Sequence, residues 1–190
     1  MTLLELDVLV IDQVTGLLSN DFAIYDQGGT QVGAIRTEGS VMGRMLVGSR
    51  SLTVLDTDGT VLLRLDDVMN LGRDTFELTG GSGRPLGRLR KELSLFRKRL
   101  SLDLADGTSL QLTGNVWERS FEVTGPGGRA ARVARSWPGL AAGLLGHNRY
   151  VLTLAGGLPY GERVSIIGAV IAIDLIREKE QSSSSGFSLG

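Results

Sequence analysis

Phe76-Glu77-Leu78-Thr79-Gly80-Gly81-Ser82-Gly83-Arg84-Pro85-Leu86-Gly87-Arg88-Leu89-Arg90 reads as a complete β-hairpin. Apolar and polar residues alternate on the way in, a Gly-rich turn supplies the positive φ that a tight hairpin needs, and alternation resumes on the way out. The opening of this unit is an aromatic residue or Leu, one spacer, then an aliphatic residue. It recurs at Phe22-Ala23-Ile24, Leu52-Thr53-Val54, Leu100-Ser101-Leu102, Phe121-Glu122-Val123 and Tyr150-Val151-Leu152. Across the six copies the leading residues stand 30, 24, 24, 21 and 29 positions apart, the period of two strands with their connection. Turn signals come after the incoming strands at Asp26-Gln27-Gly28-Gly29, Asp56-Thr57-Asp58-Gly59, Asp106-Gly107 and Gly125-Pro126-Gly127-Gly128. Outgoing strands are expected at Gln31–Arg36, Thr60–Leu65, Arg84–Arg90, Thr108–Thr113 and Arg129–Arg135. A strand over Asp7–Gln13 precedes the repeats, and Tyr150–Leu154 closes them without a hairpin partner. The total is twelve.

Beyond the last strand the pattern changes in kind. Val164-Ser165-Ile166-Ile167-Gly168-Ala169-Val170-Ile171-Ala172-Ile173-Asp174-Leu175-Ile176 has almost no polar face, so a helix here must be enclosed by protein or lipid. At 1.5 Å per residue this stretch spans roughly 20 Å, short of the ~30 Å hydrocarbon core of a bilayer, and Ser165 and Asp174 are ill suited to lipid. A barrel of twelve strands has a lumen too wide for side chains alone, and a helix about 10 Å across would fill it. The expected fold is therefore mainly β: a closed twelve-stranded antiparallel barrel with a central hydrophobic C-terminal helix at about 161–180. Residues 1–180 form one domain, and the Ser-rich tail 181–190 is expected to be disordered.

Composition bounds the function. The chain has 190 residues, 42% of them apolar, enough for one sizeable core. Net charge is −1, so no global field gathers nucleic acid or anionic membrane, and such binding needs a local patch. The absence of cysteine removes disulfides, thiolate nucleophiles and Cys-ligated metals. The acidic start, Met1-Thr2-Leu3-Leu4-Glu5-Leu6-Asp7, does not read as a secretory leader, and cytoplasmic residence is the expectation.

Three stretches carry a family resemblance: Gly16-Leu17-Leu18-Ser19-Asn20-Asp21-Phe22-Ala23-Ile24-Tyr25-Asp26, Leu93-Ser94-Leu95-Phe96-Arg97-Lys98-Arg99-Leu100, and Thr113-Gly114-Asn115-Val116-Trp117-Glu118-Arg119. With the closing Val170-Ile171-Ala172-Ile173-Asp174, their order and spacing resemble the LURP-one-related and phospholipid scramblase-like branch of the Tubby C-terminal-like fold, over about residues 7 to 176. The resemblance implies a barrel around a helix and a role near phospholipid. Tubby proteins bind phosphoinositides through basic exterior side chains. Scramblases move phospholipids between leaflets and carry a calcium-binding acidic stretch before the helix, whereas the plant LURP-one-related proteins are linked to defence. Here the stretch Ala155–Glu162 holds one carboxylate, and no long Pro-rich, Cys-rich region precedes the barrel, so the calcium-activated pattern is not met.

The richest charge feature is Arg84, Arg88, Arg90, Lys91, Arg97, Lys98 and Arg99, opposed within that span only by Glu92. Clustered guanidinium groups suit phosphate through forked hydrogen bonds. On a regular strand Arg84, Leu86, Arg88 and Arg90 share one face. These seven residues are the candidate lipid-binding segment, with anionic phospholipid headgroups as the expected partner. The competing reading is a solvated barrel exterior balanced by Glu77, Glu122 and Asp103 on neighbouring strands. Asp56-Thr57-Asp58-Gly59 has the wrong spacing for a calcium loop and reads as a turn, as does Gly81-Ser82-Gly83. His147 stands without the partners of a zinc site or a triad. Asp66 and Asp67 are adjacent and point to opposite faces. No catalytic, metal or cofactor site is expected, nor a nucleic-acid partner or a transmembrane span. Two rivals remain: a protein-interaction scaffold docking through Val41–Val47 and Trp137–Leu145, and a small-molecule carrier with a pocket beside the helix.

Overall fold

A computed structural model describes residues 2–14, 21–38, 51–70, 73–92, 99–135 and 149–185. The strands are β1 (Val8–Asp12), β2 (Asp21–Tyr25), β3 (Gln31–Glu38), β4 (Ser51–Asp56), β5 (Val61–Asn70), β6 (Arg73–Gly80), β7 (Pro85–Glu92), β8 (Arg99–Leu104), β9 (Ser109–Asn115), β10 (Ser120–Gly125), β11 (Gly128–Ala134) and β12 (Arg149–Leu154). Each pairs antiparallel with its neighbour in sequence, and β1 pairs with β12, so the twelve close into a barrel with no open edge. The expected fold class is the observed one.

Four hairpins turn through one device. After β4, Gly59 N–H donates to the Asp56 carbonyl and Asp56 N–H to the Thr60 carbonyl, with Gly59 at φ 84°. The same bonds recur at Asp26/Gly29/Thr30, Gly80/Gly83/Arg84 and Leu104/Gly107/Thr108. This is a type I turn closed by a left-handed glycine, the usual three-residue hairpin loop. The carboxylates of Asp26, Asp58 and Asp106 accept from the N–H groups of Thr30, Thr60 and Thr108 at 2.8 Å. Asp56-Thr57-Asp58-Gly59 is thus a turn, and its acids accept from backbone: Asp58 from Thr60, and Asp56 from Thr57 and from Leu3 at 3.2 Å.

The repeat is the core. Both outer residues of all six triplets, from Phe22 and Ile24 to Tyr150 and Leu152, lie buried in one apolar cluster. The spacers divide: Ala23, Glu77 and Glu122 are half-buried, but Thr53, Ser101 and Val151 are buried. Val151 packs outside the main core with Val8, Val10 and Tyr25, because it pairs across strands with Val10 and Val10 with Tyr25. The exterior is therefore not uniformly wet.

The helix α1 (Tyr160–Ser185) starts at the end of the barrel that carries the hairpin turns and runs through the lumen. Arg163 anchors its first turn to the Leu6 carbonyl at 2.7 Å and to Asp7. Every residue from 163 to 176 is less than a tenth exposed. A Cβ built on Gly168 would stand 2.4 Å from Leu63 Cδ2 and 2.9 Å from Leu78 Cδ2, so glycine is what lets the helix approach β5 and β6. Burying Ile166, Ile167, Val170, Ile171, Ile173, Leu175 and Ile176 contributes on the order of 10 kcal/mol. The helix runs five residues beyond the expected limit of 180, through part of the tail expected to be disordered. No glycine or proline interrupts it before Gly186, and Lys91 on β7 holds Glu180 at 2.7 Å. Residues 186–190 lie outside the described residues. Among those described, no helix is long and apolar enough to cross a membrane.

Candidate functional site

The basic segment is divided among three places. Arg84 sits exposed in the turn before β7 and has no carboxylate partner among the described residues. Arg88 and Arg90 point outward from β7. Arg88 Nη2 meets Glu77 Oε1 at 2.6 Å, and Arg90 is bound to Asp103, which also accepts from Ser109 Oγ at 2.9 Å. These pairs are set by register, since Glu77 stands opposite Arg88 and Asp103 also faces Arg88 from β8, one step from Arg90. Both arginines are about half exposed (52% and 54%). Lys91 has the opposite parity and turns to the barrel rim, where its ammonium holds Glu180 and its side chain is 14% exposed. Arg99 opens β8, while Arg97 and Lys98 lie outside the described residues. The expected stripe also loses Leu86: the β6–β7 register steps between Leu78 and Thr79, so Leu86 is bulged and packs partly onto the core.

A second cluster, unforeseen from the sequence, lies where α1 leaves the barrel. Asn115 Oδ1 caps a short turn by accepting from Glu118 N–H at 3.1 Å, and that turn ends at Arg119 with φ 54° and ψ 43°. A left-handed residue other than glycine is uncommon and costs about 1 kcal/mol. That geometry turns Arg119 inward. Its Nη2 donates to Asp174 Oδ1 at 2.9 Å, with the side chains 7% and 1% exposed, and its Cζ lies 5.3 Å from the ring centre of Tyr150. Asp174 Oδ2 accepts from Val14 N–H at 3.1 Å. Burial pushes the Asp174 carboxyl above its usual range, although Arg119 and the Val14 N–H pull it back. Tyr150 is pushed well up by burial and by the Asp174 charge, so its hydroxyl stays protonated. It lies beside Asp174 but short of hydrogen-bond geometry. Arg177, one turn after Asp174, is pulled below its usual value by burial and by Arg119. The signal was present in the chain: one acid within an enclosed apolar helix requires a buried cation.

The structure also places the other candidates. Asp66 is exposed and accepts from Ser51 Oγ at 2.6 Å, and Asp67 is buried, on opposite faces as expected. The docking segments Val41–Val47 and Trp137–Leu145, and His147, lie outside the described residues. Residues 163–176 of α1 are buried against the barrel wall. A shallow cavity of about 180 Å³ lies on the wall between β11 and β12, lined by Arg129, Arg132 and Thr153 among others. No group of His, Asp and Glu that could hold a metal occurs among the described residues.

The family model of the LURP-one-related proteins matches residues 7–174. A crystal structure of an Arabidopsis thaliana protein is similar in fold, with a TM-score of 0.56 and 17% identity over 89% of this chain and 91% of that one. Among curated proteins nothing matches. The matched span begins at the strand that closes the barrel and ends at the buried carboxylate of α1, and two of the resembling stretches meet in the Arg119–Asp174 pair. By sequence and barrel together, the chain belongs to the LURP-one-related family.

Proposed function

We propose that this protein is a non-enzymatic binder of anionic phospholipid headgroups, phosphoinositides among them, that docks peripherally on the cytoplasmic face of a membrane. Its contact is the exterior of β7 with the turn before it. The observation that carries this reading is that Arg84, Arg88 and Arg90 project together into solvent from one short segment. The carboxylates that hold Arg88 and Arg90 are themselves 46% and 32% exposed. Such surface pairs are worth about 0–1 kcal/mol, so a phosphate offering forked hydrogen bonds can displace them. Family membership supports the reading through the phospholipid association of the wider fold.

Co-sedimentation with vesicles tests it. The protein should pellet with vesicles containing anionic lipid and stay in solution with neutral ones, and high salt should release it. At about 1 kcal/mol per basic side chain, the combined variant Arg84→Gln, Arg88→Gln, Arg90→Gln should weaken partitioning by about 100-fold. Equal, negligible pelleting with both vesicles ends the idea.

A further inference from the structure

One end of the barrel is rich in acids. Hairpin turns at the end where α1 begins carry Asp26, Asp56, Asp58 and Asp106. Glu162 on the first turn of α1 is raised above its usual value by burial and then by Asp106, as befits an acid-rich end. The buried cluster of Arg119, Tyr150, Asp174 and Arg177 lies at the opposite end, where α1 leaves the barrel.

Within the cluster, cations outnumber anions and donors lack acceptors. Asp174 is the one carboxylate paired within it among the described residues, and its two oxygens accept from Arg119 Nη2 and the Val14 N–H. Arg177 stands three residues after Asp174, on the same face of α1. Arg135, whose Nε donates to the Glu118 carbonyl at 3.0 Å, adds a third guanidinium near Arg177. Arg119 Nε, Arg177 Nη1 and the Tyr150 hydroxyl are buried without a hydrogen-bond partner among the described residues. Arg119 is only 6% exposed and Tyr150 only 1%. Leaving buried donors unpaired costs about 1–3 kcal/mol each, more when charged, and the like charges repel besides. Three such donors, beside an arginine held in left-handed backbone, make a set suited to an oxyanion, which accepts forked hydrogen bonds from guanidinium groups.

We propose that the end of the barrel where α1 emerges is a binding site for a phosphate-class oxyanion. Arg119 Nε, Arg177 Nη1 and the Tyr150 hydroxyl donate to it, and Arg135 supplies charge from the rim. Asp174 holds Arg119 in place and is not itself a ligand. The oxyanion is either a free phosphate ester or a lipid phosphate reaching into the mouth. This site is separate from the exterior of β7 and stands or falls without it.

The test compares thermal unfolding of the wild type, Arg177→Met and the exterior triple variant, in chloride and in inorganic phosphate of equal ionic strength. General salting effects of phosphate act on all three alike. At 100 times the dissociation constant the wild type should gain about 5 °C or more over chloride, as should the triple variant. Arg177→Met should lose that gain, yet unfold in chloride at or above the wild-type temperature, because it removes a half-buried cation whose Nη1 has no partner and which Arg119 and Arg135 repel. Equal gains in wild type and Arg177→Met, or a lower Tm of Arg177→Met in chloride, overturn the proposal. Repeating the comparison with soluble inositol phosphate and with vesicles of phosphatidylinositol phosphate separates the sources. A gain confined to the soluble anions assigns a free ester, and a gain with both assigns a headgroup.

Discussion

Asp174→Leu should lower the unfolding free energy by about 3–5 kcal/mol, the cost of stranding a buried cation. In this chain the loss falls on Arg119, which is left 7% exposed with no carboxylate, and on Val14, whose N–H loses its acceptor. For a domain of this size that is a fall in Tm of about 6–20 °C. Arg119→Met strands the other partner, but a lone carboxyl can take up a proton. Since burial already raises Asp174, its contribution to wild-type stability is fully present below the ordinary carboxylate value of 3.8 and is lost as pH rises through its folded value. Removing Arg119 raises that folded value further. The deficit of Arg119→Met should therefore be small near pH 4 and grow toward neutrality, whereas Asp174→Leu should stay costly across the range. The double variant should recover most of the loss, since matched apolar replacement of a buried pair is often neutral. Denaturant unfolding of the four proteins at two pH values reads all of this, and strict additivity of the two single changes would refute the pairing.

Gly168→Val should destabilise by about 3 kcal/mol or more, at or above the upper end of the range for overpacked cores. Its Cβ alone would overlap the Leu63 and Leu78 side-chain ends, and Val adds two methyls to that contact between α1 and the wall formed by β5 and β6. The smaller change is diagnostic in sign. On an exposed helix Gly→Ala gains about 1 kcal/mol. Inside the barrel the close Leu ends take back that gain and more, so Gly168→Ala should be neutral or destabilising by up to about 2 kcal/mol. A clear rise in stability for Gly168→Ala would mean that the helix does not face the wall.

The strands were legible because a hairpin is a local object. Asp, Gly and Thr at the turns and alternation on either side fix each unit within some twenty residues, and Leu52, Phe76 or Phe121 can only face inward. The helix was legible from the absence of a polar face, though not its end: Ser182–Ser185 lacks the propensity to form a helix alone, yet extends one already anchored by Lys91 and Glu180. The site was less legible because it depends on register and closure. Counting parity along β7 places Leu86 in the stripe with Arg88, but a bulge, invisible in the residues themselves, moves it onto the core. Arg90 meets Asp103 and Arg119 meets Asp174 only once the barrel has brought together residues 13 and 55 positions apart. Asp174 alone announced a missing partner; which of the many arginines would answer was a matter of topology.

All of these results depend on α1 occupying the lumen, and the chain's lack of cysteine allows a clean test. Ala172 is fully buried midway along the helix, whereas Thr57 lies exposed in a hairpin turn. In lipid-free buffer, a thiol reagent should modify Ala172→Cys at least about a thousand-fold more slowly than Thr57→Cys, at the rate at which the whole barrel opens. Labelling of Ala172→Cys within tenfold of Thr57→Cys, while the sheet remains folded, would place the helix outside the barrel.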